Sequence, residues 1–294
     1  MATLSAQLET HPLPRRKRAW LGYVLIAPPV ILITALIFFP AFQSFVVSVL
    51  NVEGTNGTVS FDRYNRFFAD PIAMSNLLFT FQITLWSLAG LFILCFPIAI
   101  YLRFSNTRLA SWVQSLALIP LFVPGIISSY ALIRFMRPRG MFHAALTALG
   151  ATTFTTPYLK PSGVVIGLIW EGIPFTILII TAGLRQVDNS LIESARDVGA
   201  NSWQVFTRII LPLIKRPLMI VFCLNFIGIF GSYTIPYLLG PAAPQTMGVY
   251  MERTFTDFKQ PEDAQAQAVI TFVICLIVGL LYVRTVVQQQ AGRK

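Results

Sequence analysis

An all-α membrane protein with six transmembrane helices is the fold class that the sequence predicts, on three observations. The 294 residues are 55% hydrophobic and only 12% charged, whereas charged residues make up about a quarter of a soluble domain. Six windows are almost free of charge: 19–52, 71–102, 109–133, 161–184, 217–251 and 264–283. Each is long enough for a spanning helix, which needs roughly 20 apolar residues at 1.5 Å rise. The third observation is where the cations fall. With the amino terminus inside, fourteen of the 22 Lys and Arg lie on inside segments (Arg15, Arg16, Lys17, Arg18, Arg103, Arg108, Arg185, Arg196, Arg208, Lys215, Arg216, Arg284, Arg293 and Lys294). The outside segments hold eight cations and seven of the 12 acids. This positive-inside bias predicts both termini in the cytoplasm. Arg134, Arg137, Arg139 and Lys160 run against it, since the loop after the third span is external.

Taken in order, residues 1–18 form a basic tail and the membrane domain runs over 19–290. PRRKR before an apolar run resembles the start of a signal peptide, but the run is too long for an h-region and no small-residue cleavage site ends it. An uncleaved first helix is the expectation, bent by Pro28, Pro29 and Pro40. The loop over 51–70 is external. The second and third spans join through the short basic turn RFSNTR (103–108). The loop over 138–160, rich in Gly, Thr and Pro, is external, as are GPAAPQ (240–245) and ERTFTDFKQPED (252–263).

Several chemistries are missing. No G-x-x-x-x-G-K-[ST] phosphate loop occurs, nor H-E-x-x-H, nor a nucleophile elbow. His11 and His143 stand far apart. Cys95, Cys223 and Cys275 all fall inside spans, without metal-ligand spacing, and read as small buried hydrophobes. The expectation is a non-catalytic chain with no metal and no cofactor of its own. The net charge of +10 is spread along the loops and termini as a membrane protein spreads it, so nucleic acid is not an expected partner.

The least membrane-like segment is 186–216, between the fourth and fifth spans. Five cations and three acids lie from Arg185 to Arg216. It reads as two short helices with a break. Asn189 or Ser190 caps the first, with Glu193 in its opening turn, and Leu191, Ile192, Ala195 and Val198 form its apolar stripe. Gly199 supplies the permissive backbone for a turn, and Asn201 or Ser202 caps the second helix. There Trp203, Phe206 and Ile210 fall at i, i+3 and i+7, an amphipathic face. Pro212 and Pro217 bracket the start of the fifth span. A helix lying on the lipid surface is the plain alternative, but it explains neither the spacing nor the internal Gly and would favour more cations on its polar face.

The pattern E-S-A-x3-G-x9-I-x-L-P (Glu193, Ser194, Ala195, Gly199, Ile209, Leu211, Pro212) resembles the EAA loop of binding-protein-dependent ABC importer permeases. Ser194 replaces that family's Ala, a small-for-small exchange. The resemblance covers roughly residues 70–290 and implies the type I ABC importer (MetI-like) permease fold in a prokaryotic inner membrane. It also implies that the loop is a coupling helix, which docks on a cytoplasmic ATPase. Glu193, Ala195 and Gly199 then match the motif, with Arg196, Asp197 and Ala200 beside them on the contact surface. The implied partners are two ABC ATPase subunits, which bind ATP and Mg, a second permease, homologous or identical, and an extracytoplasmic substrate-binding protein.

Sugar permeases of the family often place Asp directly before the Gly, whereas Asp197 lies two positions before Gly199. That form, together with GSYTIPYLLGP (231–241), looks more like the polyamine, ferric-ion and phosphonate branch, and resembles the spermidine and putrescine permeases. Physically, Glu171 lies near the middle of the fourth span, where a carboxylate is costly and faces a cavity or a partner. It could serve a cationic substrate as counter-ion, with Trp170, Phe175 and Tyr233 offering aromatic faces, or it could be structural, paired with Arg134 or hydrogen-bonded across the bundle. Gly172 and Pro174 suggest a locally irregular helix there. A sugar or other neutral or anionic solute is the alternative cargo. An ion-driven secondary transporter would want more intramembrane acids and inverted halves, and a membrane enzyme a polar cluster in the spans.

Overall fold

The computed structural model describes residues 15–50, 59–150 and 155–291. The expectations for His11, for the first residues of the basic tail and for NVEGTNGT (51–58) lie outside these. The chain divides into two units after Ser60. In the first, helix α1 (Arg15–Ile33) passes through a π-helical turn (Thr34–Phe38) into α2 (Phe39–Val49), so helix begins four residues before the expected window. The wide turn has a cause. Pro40 cannot donate to the carbonyl four residues back, and the i→i−5 bond from Phe39 to Thr34 closes the ladder instead. Gly22–Val49 is apolar enough to cross a membrane.

The second unit holds the bundle. Its elements are α3 (Asp62–Ala69), α4 (Pro71–Phe104), α5 (Arg108–Ala117), α6 (Ile119–Phe122), α7 (Gly125–Met136), α8 (Met141–Ala148), α9 (Pro161–Arg185), α10 (Asn189–Asp197) and α11 (Ser202–Val205). A second π-turn (Phe206–Ile210) leads into α12 (Leu211–Phe230), followed by α13 (Thr234–Leu239), α14 (Met247–Thr256) and α15 (Pro261–Ala291). Within this unit α4, α9, the α11–α12 run and α15 are long and apolar enough to span.

Two expected spans differ. The third, over 109–133, is broken: the segments on either side of Val123–Pro124 meet at 108°. Val123 is extended at φ −100°, ψ 114°, as a residue before Pro tends to be, and α7 restarts after Pro124. The fifth span runs Ser202–Phe230 instead of 217–251. Helix continues through Pro212 and Pro217, because the π-turn lets Leu211 donate to Phe206 ahead of the proline. It ends at Gly231, so Tyr233 and the following GP segment lie beyond it, Tyr233 at the start of α13. Gly172 and Pro174 do not interrupt α9 either. A Cβ on Gly172 would fall 2.7 Å from Leu91 Cδ1, so this glycine serves the close approach of α4.

The buried residues form two clusters. The larger joins α4, α9 and α12, with Leu91, Leu168, Ile177 and Phe230 at its centre. The smaller joins one end of those helices to the 186–210 segment: Ala99, Ile180, Leu184, Val187, Ile192, Val205, Ile210, Ile214 and Val221. At the opposite end Asp70 caps α4, accepting from the Ile72 and Ala73 amides at 3.0 and 3.3 Å. Arg63 of α3 pairs with Glu262, and Arg66 donates to Asp263 at 3.3 Å, which fastens α3 to α15. Asn76 and Thr80 of α4 accept from the Gln245 and Met247 amides at 2.8 Å each, holding the 240–246 turn against the bundle.

Candidate functional site

Helix α10 starts where expected but is not capped as expected. Its N-cap is Asp188, whose side chain makes no capping bond. Asn189 Oδ1, the anticipated cap, instead accepts from Arg103 Nη2 at 2.7 Å, because a guanidinium outcompetes a backbone amide for that oxygen. Glu193, Ser194, Arg196 and Asp197 are exposed, while Ala195 and Ala200 are half-buried against the smaller cluster. The inward stripe is narrower than the sequence suggests. Ile192 is buried, whereas Leu191 is 49% and Val198 85% exposed.

The far end of α10 closes in a Schellman motif. Gly199 N donates to Arg196 O and Ala200 N to Ala195 O, both at 2.9 Å. Gly199 takes φ +86°, a backbone that suits Gly and penalises a Cβ. Asn201 then caps the next helix in a capping box. Its side chain accepts from Gln204 N at 2.8 Å, and Gln204 Oε1 accepts from Asn201 N at 2.9 Å. Val205 and Ile210 turn inward; Phe206 packs edge-on against Phe96, and Trp203, 69% exposed, tilts over Phe206. The outer surface of 189–203 thus presents Glu193, Arg196, Asp197, Leu191, Val198 and Trp203, a mixed polar and apolar patch on a firmly packed base.

The second group lies at mid-span. Glu171, near the middle of the 25-residue α9, lines a cavity of about 430 Å³ together with Phe175, Leu168, Ile179, Asn225 and Ser232. The anticipated pair with Arg134 is not formed. Among the described residues the ion pairs join Arg63 and Arg66 to Glu262 and Asp263. The broken third span brings a helix start close to the carboxylate. Glu171 Oε1 lies 3.5 Å from where a Cβ on Gly125 would sit, and Gly125 is the first residue of α7. The positive end of that helix dipole therefore faces the carboxylate. Of the four residues grouped by the sequence, Glu171 and Phe175 share the cavity, while Trp170 and Tyr233 do not line it. Tyr233 instead stacks on Tyr237 at 5.1 Å.

A family model described as the binding-protein-dependent transport system inner membrane component matches residues 95–293, more than half of the chain. This chain belongs to that family. Among similar proteins, the sulfoquinovosyl glycerol transport system permease SmoG of Agrobacterium fabrum is 26% identical, with 90% of each chain covered. The spermidine/putrescine transport system permease PotB of Escherichia coli is 27% identical over 76% of this chain and 81% of its own. A chain of the bacterial alginate ABC transporter has the same fold, with TM-score 0.77 at 20% identity, covering 90% of this chain and 93% of the other. A chain of the MetNI methionine ABC transporter gives TM-score 0.56 at 18% identity, covering 71% and 92%. This permease is thus a membrane component of an ABC import system, with the all-α fold of such permeases, and it belongs to a family of non-catalytic subunits.

Two features of the site were not visible in the sequence. Arg103 looked like one more inside cation, yet its guanidinium also donates to Leu184 O at 3.1 Å and Val187 O at 3.0 Å. Asn225 was not singled out by the sequence. It donates to Thr176 Oγ1 at 3.1 Å and to its own helix at Val221 O, which ties α12 to α9 beside the cavity.

Proposed function

We propose that this permease forms half of the translocation pathway for a small organic cation of the polyamine type, delivered by an extracytoplasmic binding protein. The observation that carries this reading is Glu171, a mid-span carboxylate without a cationic partner among the described residues, lining a cavity with an aromatic wall at Phe175. A carboxylate near the bilayer centre costs about 3 kcal/mol on insertion scales, and α7's dipole offsets only part of a full charge. A passing ammonium group would complete the neutralisation and gain the Phe175 face. An anionic solute would meet repulsion at the same place. The likeness to PotB supports the same cargo class.

In this reading the 189–203 patch docks on a cytoplasmic ATPase, and both chain termini are cytoplasmic. Closure of two ATPase subunits on ATP moves α10, and rigid-body rocking against a second permease opens the cavity to alternate sides. ATP and Mg belong to the ATPases. A neutral sugar is the second reading, favoured by the amide of Asn225 and hydroxyl of Ser232 in the cavity lining and by the match with SmoG over 90% of each chain.

Proteoliposomes holding the permease pair and its ATPase, supplied with binding protein, test the choice. ATP hydrolysis stimulated by spermidine and not by a glycoside supports the cation. Stimulation by the glycoside alone would replace it with the sugar, and transport that follows an ion gradient without ATP would remove the coupling reading as well.

A further inference from the structure

The elbow between α9 and α10 is fastened by a residue from a third helix. Arg103 lies in the last turn of α4, partly buried. Its Nε donates to Leu184 O, and its Nη2 donates to Val187 O and to Asn189 Oδ1. The first oxygen belongs to the last turn of α9, the second to the linker and the third to the first residue of α10. A helix end leaves its last carbonyls without intrahelical donors, and a cation there suits the dipole. The planar guanidinium, with five donors in a fixed fork, can hold three acceptors at once where an ammonium on a flexible stem would not fix their relative orientation.

The two ends of α10 are built differently. Its far end is self-sufficient, with the Schellman turn at Gly199 and the capping box of Asn201 and Gln204. Its near end has no cap of its own, since Asp188 makes no capping bond and Asn189 is engaged by Arg103. The far end leads through α11 into α12, and the near end is the one through which a push on α10 reaches α9. Left to itself, the linker over 186–188 could absorb such a push by a change of backbone angles.

We infer that Arg103 is a positioning residue for force transfer: it locks the α9–α10 elbow to the end of α4, so that displacement of α10 moves α4 and α9 together. This rests on the proposal that α10 docks on an ATPase. Nothing in the EAA-like pattern points to it, because Arg103 lies 90 residues before Glu193.

The test uses the assembled complex in proteoliposomes, with uptake per ATP hydrolysed as the measured ratio. Arg103→Gln keeps a donor but loses the fork and the charge. Its expected effect is intact assembly, continued basal ATP hydrolysis and a fall in uptake per ATP of about fivefold or more, the lower end of typical coupling effects. Arg103→Lys, restoring the charge alone, should recover only part of the ratio. Asn189→Ala, removing one of the three acceptors, should give a smaller loss. Amide hydrogen exchange over 186–190 should rise in the same order, a change that needs no transport to be seen.

An unchanged ratio in Arg103→Gln overturns the inference. If that variant does not assemble, Arg103→Lys and Asn189→Ala decide: a lowered ratio in folded complexes supports the lock, and wild-type ratios in both overturn it. A wild-type complex showing no ATP-dependent uptake would instead sink the docking proposal, and exchange over 186–190 would then judge the lock alone.

Discussion

Replacing Gly199 tests the turn on which α10 ends. The residue sits at φ +86° and an added Cβ would meet nothing within 4 Å, so the cost of a side chain there is backbone strain with no packing part. For an ordinary L-residue that strain is about 1–2 kcal/mol, with a β-branched residue at the upper end and Asn at the lower, since Asn tolerates the left-handed region. A cost of about 2 kcal/mol shifts the local equilibrium roughly 30-fold. The turn would then reopen, losing the two 2.9 Å bonds from Gly199 and Ala200 and re-aiming the Glu193–Asp197 surface. Because these bonds are confined to the turn, membrane insertion and the buried clusters should be unaffected. The assay is ATP hydrolysis stimulated by loaded binding protein in proteoliposomes. Stimulation should fall in the order Asn, Ala, Val, with Gly199→Val losing most of it and Gly199→Asn keeping most. Full stimulation in Gly199→Val, or Asn behaving worse than Val, would refute the reasoning.

Three further changes have outcomes set by the structure. Glu171→Gln keeps volume and removes charge; uptake of a polyamine should fall by at least about tenfold, a modest part of the attraction between close unit charges at a protein-like dielectric, while a neutral solute should be little affected, as competitive uptake assays would show. Gly183→Ala places a Cβ 2.6 Å from Pro217 Cβ, where a rigid ring cannot yield; forcing α9 from α12 should cost about 1–3 kcal/mol, seen as a lower Tm in detergent. Arg63→Ala leaves Glu262 without its partner at a site where Arg63 is 9% exposed and Glu262 32%; a loss of about 1–2 kcal/mol should appear as a lower Tm and shrink in high salt, because the acids remain within reach of solvent ions.

The long helices α4 and α9 were legible because crossing a bilayer demands a long apolar run, and such runs are hard to miss. What disturbed the picture was proline chemistry, whose effect depends on neighbours. Pro124 breaks the third span, yet Pro174 and Pro212 leave their helices continuous, the latter because a π-turn absorbs the missing donor. No single-sequence rule separates these cases. In the 186–216 segment the local devices were legible, with Gly199 and Asn201 doing what their residue types favour. The near end was not, since Asn189's role is decided by a guanidinium 86 positions away. At mid-span the sequence singled out Glu171 by its rarity and Phe175 beside it, while the rest of the surroundings (Gly125, Asn225, Ser232) are set by helix packing and could not be listed in advance.

The arrangement links the two regions through whole helices. From Glu171 to Leu184 is 13 residues of α9, about 20 Å at 1.5 Å rise, and the helix is unbroken over that distance. Alongside it, α4 packs Leu91 against Gly172 next to the cavity and ends at Arg103 on the elbow. The larger cluster binds α4, α9 and α12 at mid-span, and the smaller one binds the same three helices to α10 and α11. Along α9, a displacement applied at α10 therefore meets one joint before the cavity, the linker over 186–188, which Arg103 spans. Rigid elements of this kind carry coupling without any chain of side-chain rearrangements between the sites. It follows that substitutions along the Glu171–Leu184 stretch that keep helix and packing, such as Ile177→Val within the larger cluster, should alter stability by about 1 kcal/mol while leaving uptake per ATP unchanged. A change in that ratio from Ile177→Val, measured in the same proteoliposomes, would mean that coupling runs through individual side chains and not through the helix as a rod.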